Sequence, residues 1–298
     1  MAREIHGVAV DAGSGLEANI RDLRGPNAHP DDLMTFKRAV LETLGPDAST
    51  VLVDATCGPD LLAAYPENCT PMLAFEADVY HISDDDRITV LPDNFTVEDY
   101  PSMGVPQLKF FIYYAPDDDP ALNARKQDLV ASIGARCKTA GIRYLMEPLV
   151  YHPKIAPGGV AYAALKPDLV RRATELFAAP HFNVDVLKVE IPVDLNFVEG
   201  FGEASMTRKD ALQAFRAAAQ AASGLDLVYL SAGVTFARFE ASLQMAVEAE
   251  VDFAGFMCGR AIWSDGVAVF GTHGEAALRA WLGDTGKTRL KRLIAAIT

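Results

Sequence analysis

Eight short apolar runs, separated by segments of helical periodicity across 298 residues, predict a (β/α)8 barrel. A second observation agrees: charged residues stand in mid-strand, on faces that a barrel would turn toward its axis. A doubly wound open sheet is the alternative. It generally uses fewer strands and a glycine-rich first turn, and the sequence fits it less well.

The runs, in order, are Ile5–Val10, Val51–Val53, Met72–Phe75, Leu108–Tyr113, Arg143–Val150, Val184–Ile191, Leu227–Leu230 and Asp252–Met257. Several are rich in Val, Ile, Phe and Tyr, as buried strands are. The first ends at Asp11, on the carboxyl edge where barrel active sites are built. Between the later runs lie Leu122–Ala140, Lys166–Ala179, Arg208–Ala222 and Phe236–Ala249. In Arg208–Ala222, the residues Leu212, Phe215, Ala219 and Ala222 recur at helical spacing and form one apolar face. Asn123 and Thr207 stand where N-caps are expected, and Gly141 where a helix stops. The acidic run Asp117–Asp119 reads as a solvated loop. No repeat, low-complexity tract or linker divides the chain, so residues 1–298 read as one barrel domain.

Composition narrows the partners. Lys plus Arg number 27 against 40 Asp plus Glu, a formal charge of −13. That balance argues against nucleic acid, which needs clustered cations, and against an anionic membrane surface. No window of 18 uncharged apolar residues suggests a bilayer span. The opening Met-Ala-Arg-Glu-Ile-His shows no leader pattern. Cys57, Cys69, Cys137 and Cys258 are scattered and form no CxxC pair, which favours a reducing cytoplasm over a disulfide framework. Exposed faces of such barrels suit a homo-oligomer, with no particular interface legible.

Strand parity locates the chemistry. Leu187, Val189 and Ile191 share the face that packs under helices, so Lys188 and Glu190 point into the barrel. The same count places Lys109 with Phe111 and Tyr113, and Glu147 with Leu145 and Leu149. A single Lys–Glu pair reads equally well as a self-neutralising ion pair. Two lysines and three carboxylates on separate strands are harder to dismiss, because mid-strand charge is costly unless it is used. Neighbouring ammonium groups and burial would lower the lysine pKa values, and a neutral amine attacks a ketone to form an imine. Ser231-Ala232-Gly233 after the seventh run and Gly259-Arg260 after the eighth suit a phosphate, through backbone N–H groups and a forked cation.

The segments Asp185–Val193, Val198–Phe201, Leu230–Val234 and Cys258–Trp263 closely resemble the class I tagatose-1,6-bisphosphate aldolases. Weaker echoes at Phe36-Lys37-Arg38, Val51–Asp54, Lys109–Tyr114 and Leu145–Glu147 keep the same order from Asp11 to Trp263. The resemblance implies a barrel enzyme using neither metal nor cofactor, with Lys188 forming the Schiff base. It implies Glu147 as acid/base partner, Lys109 assisting at the imine and Asp11 orienting substrate hydroxyls. Ser231, Gly233, Gly259 and Arg260 would hold the phosphate of dihydroxyacetone phosphate. The implied substrate is tagatose 1,6-bisphosphate or a close analogue, cleaved to that triose phosphate and an aldehyde such as glyceraldehyde 3-phosphate.

One motif departs. Where the family reads Gln-Arg-Gly-Ser after its first Asp, this chain has Ala12-Gly13-Ser14-Gly15. An arginine that could contact the distal part of the substrate is missing, and Arg21 or Arg24 are its candidate replacements. The distal group therefore stays open, with 6-sulfofructose 1-phosphate and a deoxy-ketoaldonate phosphate as alternatives. A non-catalytic phosphosugar-binding barrel is a further rival, against which the two lysines and Glu147 argue. A zinc aldolase would need His81 or His152, the two histidines after strands, and no metal-ligand spacing supports them. Cys258 reads as a structural thiol, and Trp263 and Tyr113 as barrel packing.

Overall fold

The computed structural model describes residues 4–298, apart from the side chain of Tyr80; Met1–Arg3, at the start of the opening read above, lie outside them. The strands are β1 (Ile5–Val10), β2 (Thr50–Val53), β3 (Thr70–Ala74), β4 (Gln107–Tyr114), β5 (Arg143–Val150), β6 (Val186–Glu190), β7 (Asp226–Leu230) and β8 (Gly255–Cys258). They pair in chain order and in parallel, and β8 returns to β1 to close the barrel. Each apolar run is a strand, with differences confined to the ends. β6 starts two residues late because the Asp185 carboxylate, rather than a ladder carbonyl, accepts the Tyr144 N–H at 2.8 Å.

Around the barrel lie α1 (Ser14–Arg24), α2 (Asp32–Leu44), the single turn α3 (Gly58–Leu61), α4 (Pro120–Ala140), α5 (Val160–Phe177), α6 (Arg208–Ala221), α7 (Phe236–Glu248), α8 (Arg260–Trp281) and α9 (Lys287–Ile297). Thr207 caps α6 by accepting the Asp210 N–H at 3.1 Å, and Gly141 ends α4 in the left-handed region at φ 68°. The cap of α4 is Asp119, not Asn123. Asp119 accepts the Leu122 N–H at 2.9 Å, while the Asn123 amide is turned back to the Ala115 carbonyl. The run Asp117–Asp119 is a loop exposed at Asp117 and Asp119, as expected; Asp117 pairs with Arg172 at 2.8 Å and Asp118 accepts the Tyr151 hydroxyl. In α6 the buried face is Ala211, Ala214, Phe215 and Ala218, with Leu212 and Ala219 at its margin.

The β3–β4 connection differs from the other long ones. Residues 75–106 carry only short 3-10 turns, at Val79–His81 and Val97–Asp99. No long helix draws this segment down the barrel wall, and part of it lies across the mouth. The Ala77 N–H bonds the Val90 carbonyl at 2.8 Å, and the Thr89 hydroxyl bonds the Phe111 carbonyl at 2.8 Å.

Two apolar layers follow strand parity. Ala9, Leu52, Met72, Leu145, Val186 and Met257 fill the axis. Leu187, Val189 and Ile191 lie in the thicker layer under the helices. Trp263 belongs to that layer, edge-on to Phe36 at 5.6 Å, and its indole N–H donates to the Ala9 carbonyl at 2.8 Å. All four cysteines are free and buried. Burial pushes the Cys57 and Cys69 thiols up to about 11, Cys137 to about 12 and Cys258 higher still, as expected of inert packing groups. Among the described residues no helix is long and apolar enough to cross a membrane.

Candidate active site

The alternation that buries Val186 at the axis also carries Lys188 inward one pleat higher. There its ammonium lies 2.9 Å from Glu147 Oε2, and that same oxygen lies 3.1 Å from Lys109 Nζ. Lys109 also reaches Asp11 Oδ2 at 3.1 Å and forms an ion pair with Glu76. The two lysines, Glu147 and Glu76 are buried, and Asp11 is half-buried at the rim. The four expected catalytic residues therefore meet at one point, contributed by β6, β5, β4 and the end of β1.

The expected fifth member does not join them. Glu190 opens toward the mouth, where it accepts the Val150 N–H at 2.8 Å and pairs with Lys166 of α5 at 3.4 Å. Glu76 takes its place as the third carboxylate. Parity could have found it: Met72 and Ala74 point to the axis, and Glu76 continues the same count just past β3.

The electrostatics also depart from expectation. Burial alone would lower Lys109, but Glu147, Glu76 and Asp11 outweigh it and hold the ammonium well above the usual lysine range. Lys109 is thus a fixed cation, surrounded by three carboxylates, and not one of two mutually depressed amines. Burial would raise Asp11, yet Lys109 and Lys188 bring its carboxyl down to about 2. For Glu76 burial wins: despite Lys109, and helped by Asp11 and Glu147, the carboxyl is pushed up to about 7. Its Oε2 is buried with no hydrogen-bond partner. The cluster therefore holds a permanent cation, a permanent anion and a carboxyl that exchanges its proton near neutrality. Lys188 touches only one carboxylate, Glu147.

A cavity of about 1260 Å³ opens over the cluster and extends to the ends of β7 and β8. Ser231, Gly259 and Arg260 line it. Gly233 adjoins Arg260: a Cβ there would sit 3.0 Å from the guanidinium carbon, and its φ of 78° follows Ala232 at 48°. Two successive left-handed residues make a tight turn, closed by the Val234 N–H on the Ser231 carbonyl at 3.0 Å. At Gly259 a Cβ would come within 2.0 Å of the Ala9 carbonyl, so only glycine lets α8 begin this close to β1. No side chain caps the first turn of α8. The structure brings all four expected phosphate ligands to one rim.

Arg21 and Arg24 are not on that mouth. They lie about 10 and 15 Å along α1 from its start at Ser14. Arg24 pairs with Asp32 at 2.8 Å and donates to the Phe270 carbonyl, while Arg21 is exposed. Neither lines the cavity, which overturns both as replacements for the missing first-loop arginine. Residue Asp78, unread in the sequence, occupies the region instead: its carboxylate accepts the Ser14 N–H and, at 2.8 Å, the Ser14 hydroxyl. The His152 Nδ1 accepts the N–H groups of Lys154 and Ile155, both at 3.1 Å, and His81 is exposed. Among the described residues no three His, Cys, Asp or Glu side chains are grouped to hold a metal ion.

The family model of DeoC/LacD aldolases matches residues 6–265. The chain belongs to the DeoC/LacD aldolase family. It is therefore a carbon–carbon lyase. This aldolase is 34% identical to tagatose 1,6-diphosphate aldolase of Listeria monocytogenes over 97% of its own length and 86% of the relative's. It is 36% identical to tagatose 1,6-diphosphate aldolase 1 of Enterococcus faecalis, over 88% and 81% respectively. Against the Staphylococcus aureus enzyme of that name it is 38% identical, over 84% and 78%. Among solved structures, fructose-bisphosphate aldolase of Plasmodium falciparum superposes with a TM-score of 0.72 at 15% identity, covering 98% of this chain and 89% of that one. A Schiff-base-forming fructose-1,6-bisphosphate aldolase does so at 0.57 and 14% identity, covering 92% and 91%. These two likenesses concern the fold of the aldolase.

Proposed function

We propose that the protein is a class I aldolase that cleaves a ketose phosphate, tagatose 1,6-bisphosphate or a close analogue, to dihydroxyacetone phosphate and an aldehyde such as glyceraldehyde 3-phosphate. The observation that carries this reading is one carboxylate oxygen, Glu147 Oε2, set 2.9 Å from Lys188 and 3.1 Å from Lys109. The relatives named for this reaction supply the substrate class.

Glu147 is placed to take a proton from Lys188, freeing the amine to attack the ketone carbon. Glu147 returns that proton to the carbinolamine hydroxyl, which leaves as water, giving a protonated imine and a carboxylate again. When the C3–C4 bond breaks, its electrons move into the imine and form an enamine, while Glu147 takes the C4 hydroxyl proton and the aldehyde leaves. Protonation of the enamine at C3 and hydrolysis of the imine release dihydroxyacetone phosphate and restore Lys188. Lys109 keeps its proton throughout, holding Glu147 and Asp11 in place. Asp11, ionised at the rim, accepts substrate hydroxyls. Ser231, Gly233, Gly259 and Arg260 hold the phosphate on C1.

Borohydride reduction with dihydroxyacetone phosphate, in EDTA, followed by peptide mass analysis, tests the reading. The expected result is a reduced adduct on Lys188 and no turnover in Lys188→Met. No adduct, or an adduct on another lysine, overturns the imine mechanism.

A further inference from the structure

We propose that Arg87, on the β3–β4 connection, is the binding site for an anionic group, a phosphate or sulfonate, at the end of the substrate remote from its C1 phosphate. This inference rests on the class I reading above and adds the distal half of the substrate to it.

The cations around the cavity can be accounted for one by one. Lys109 and Lys188 belong to the catalytic cluster, Lys166 pairs with Glu190, and Arg260 lies on the β7–β8 rim. Arg238 donates to the Phe201 carbonyl at 2.8 Å. Arg87 and Lys154 remain, and Lys154 is exposed while Arg87 is half-buried.

Arg87 is held in an unusual way. Its guanidinium lies 4.5 Å from the centre of the Tyr151 ring and 5.9 Å from that of Tyr113. Among the described residues no carboxylate comes within salt-bridge distance of it; Asp118, which accepts the Tyr151 hydroxyl, feels its charge from farther off. Neighbouring Asp86 accepts the Ile88 N–H at 3.1 Å and faces Arg125 at 3.8 Å. Aromatic faces anchor a guanidinium through its π-surface and leave the N–H edge available for a forked contact with an oxyanion. The backbone is left-handed at Arg87, with φ 50°, which non-glycine residues adopt sparingly. Hydrogen bonds on both sides fix that bend: Ala77 to Val90, Thr89 to Phe111, and the Arg87 N–H to the Ser83 carbonyl at 3.0 Å.

The location fits the distal end of a sugar. Tyr113 is four residues above Lys109 on β4, about 13 Å along the strand. In a barrel of eight strands in chain order, β4 faces β8 across the mouth. A ketose with its C1 phosphate at β7–β8 and C2 on Lys188 sends its remaining carbons toward the β3–β5 wall. The first loop offers no cation there, since Ala12 and Gly13 are neutral and Asp78 covers the Ser14 N–H.

The test runs the reaction in the synthetic direction, with dihydroxyacetone phosphate and three acceptors: glyceraldehyde, glyceraldehyde 3-phosphate and 3-sulfolactaldehyde. Wild-type protein should favour at least one anionic acceptor over the neutral one by at least about tenfold in kcat/KM, and the better of the two identifies the group. In Arg87→Met that preference should fall roughly ten- to a hundredfold, mainly through KM, the range expected for hydrogen bonds to a charged group. Arg87→Lys should restore part of it. A wild type indifferent to acceptor charge overturns the site, as does an Arg87→Met variant that keeps the preference. Borohydride trapping on the same samples separates the two readings. No adduct in the wild type overturns the class I mechanism, whereas an adduct without anion preference overturns the Arg87 site alone.

Discussion

The two rims of the barrel mouth begin with the same device, a helix starting just past a strand, and use it in opposite ways. After β8, the first turn of α8 carries no side-chain cap, and Gly233 lets the Arg260 guanidinium lie close beside it. After β1, the first turn of α1 receives the Asp78 carboxylate on its Ser14 N–H and hydroxyl. Both helix termini carry the partial positive charge that attracts anions. The difference lies in whether the protein supplies the anion itself. A helix terminus at a catalytic edge becomes a ligand site only where no side chain of the chain has already filled it.

Three experiments would break or sharpen that contrast. The largest effect concerns Glu76, the carboxyl on the β3 side. Its native pKa of about 7 exceeds the ordinary 4.5, so between those values the folded protein holds a proton that the unfolded chain has released. Stability should fall as pH rises through that window, by about 3 kcal/mol from this group. Asp11 acts in the opposite sense and lower down: its contribution is full above about 4 and is lost as pH falls through about 2. Urea melts of wild type and Glu76→Gln at pH 5 and pH 7.5 should show the slope disappearing in the variant. Parallel profiles would mean that Glu76 ionises normally.

Next comes the open rim. Arg260→Ala should raise KM for a ketose 1-phosphate roughly hundredfold, at about 1.5–3 kcal/mol per hydrogen bond to a charged group, and should abolish competition by inorganic phosphate. The dephosphorylated ketose should be far less affected. Equal losses for both sugars would place the C1 phosphate elsewhere and remove one side of the comparison.

The smallest effect tests the closed rim. Asp78→Asn keeps an acceptor for Ser14 but removes the charge, so stability should drop by about 0.3–1 kcal/mol in thermal melts. A phosphorylated acceptor aldehyde should bind a few-fold more tightly, because a neighbouring negative charge has gone. An unchanged KM would show that charge at this terminus plays no part in acceptor choice.

The strands and the inward-facing charges were legible because period-two alternation is a local property. Lys188 and Glu147 fall on their strands as parity demands, and the Gly233 and Gly259 loops follow the strands that a barrel needs. Glu76 escaped because the third apolar run ends visually at Phe75, one residue before the inward position recurs. The lysine protonation escaped for a different reason. It depends on how many carboxylates surround Lys109, and strands distant in sequence set that number. Asp119 displacing Asn123 as the cap of α4, and Asp78 reaching α1 across 64 residues, are likewise decided by contacts that no local pattern contains. Arg87 had no signature at all, since its aromatic partners come from the ends of two other strands.

Barrel closure sets a condition on how the chain matures during synthesis. β1 pairs with β2 on one side, and on the other with β8, whose residues emerge about 250 positions later. At about 5–20 residues per second, one edge of β1 stays unpaired for roughly 12–50 s. An open strand edge is a template for association with other chains. The latch from Trp263 to Ala9 is made only after β8 has arrived, and with it the rim that seats Arg260. Closure therefore waits on the last strand, and slowing elongation between β2 and the emergence of β8 should prolong the aggregation-prone stage and lower soluble yield.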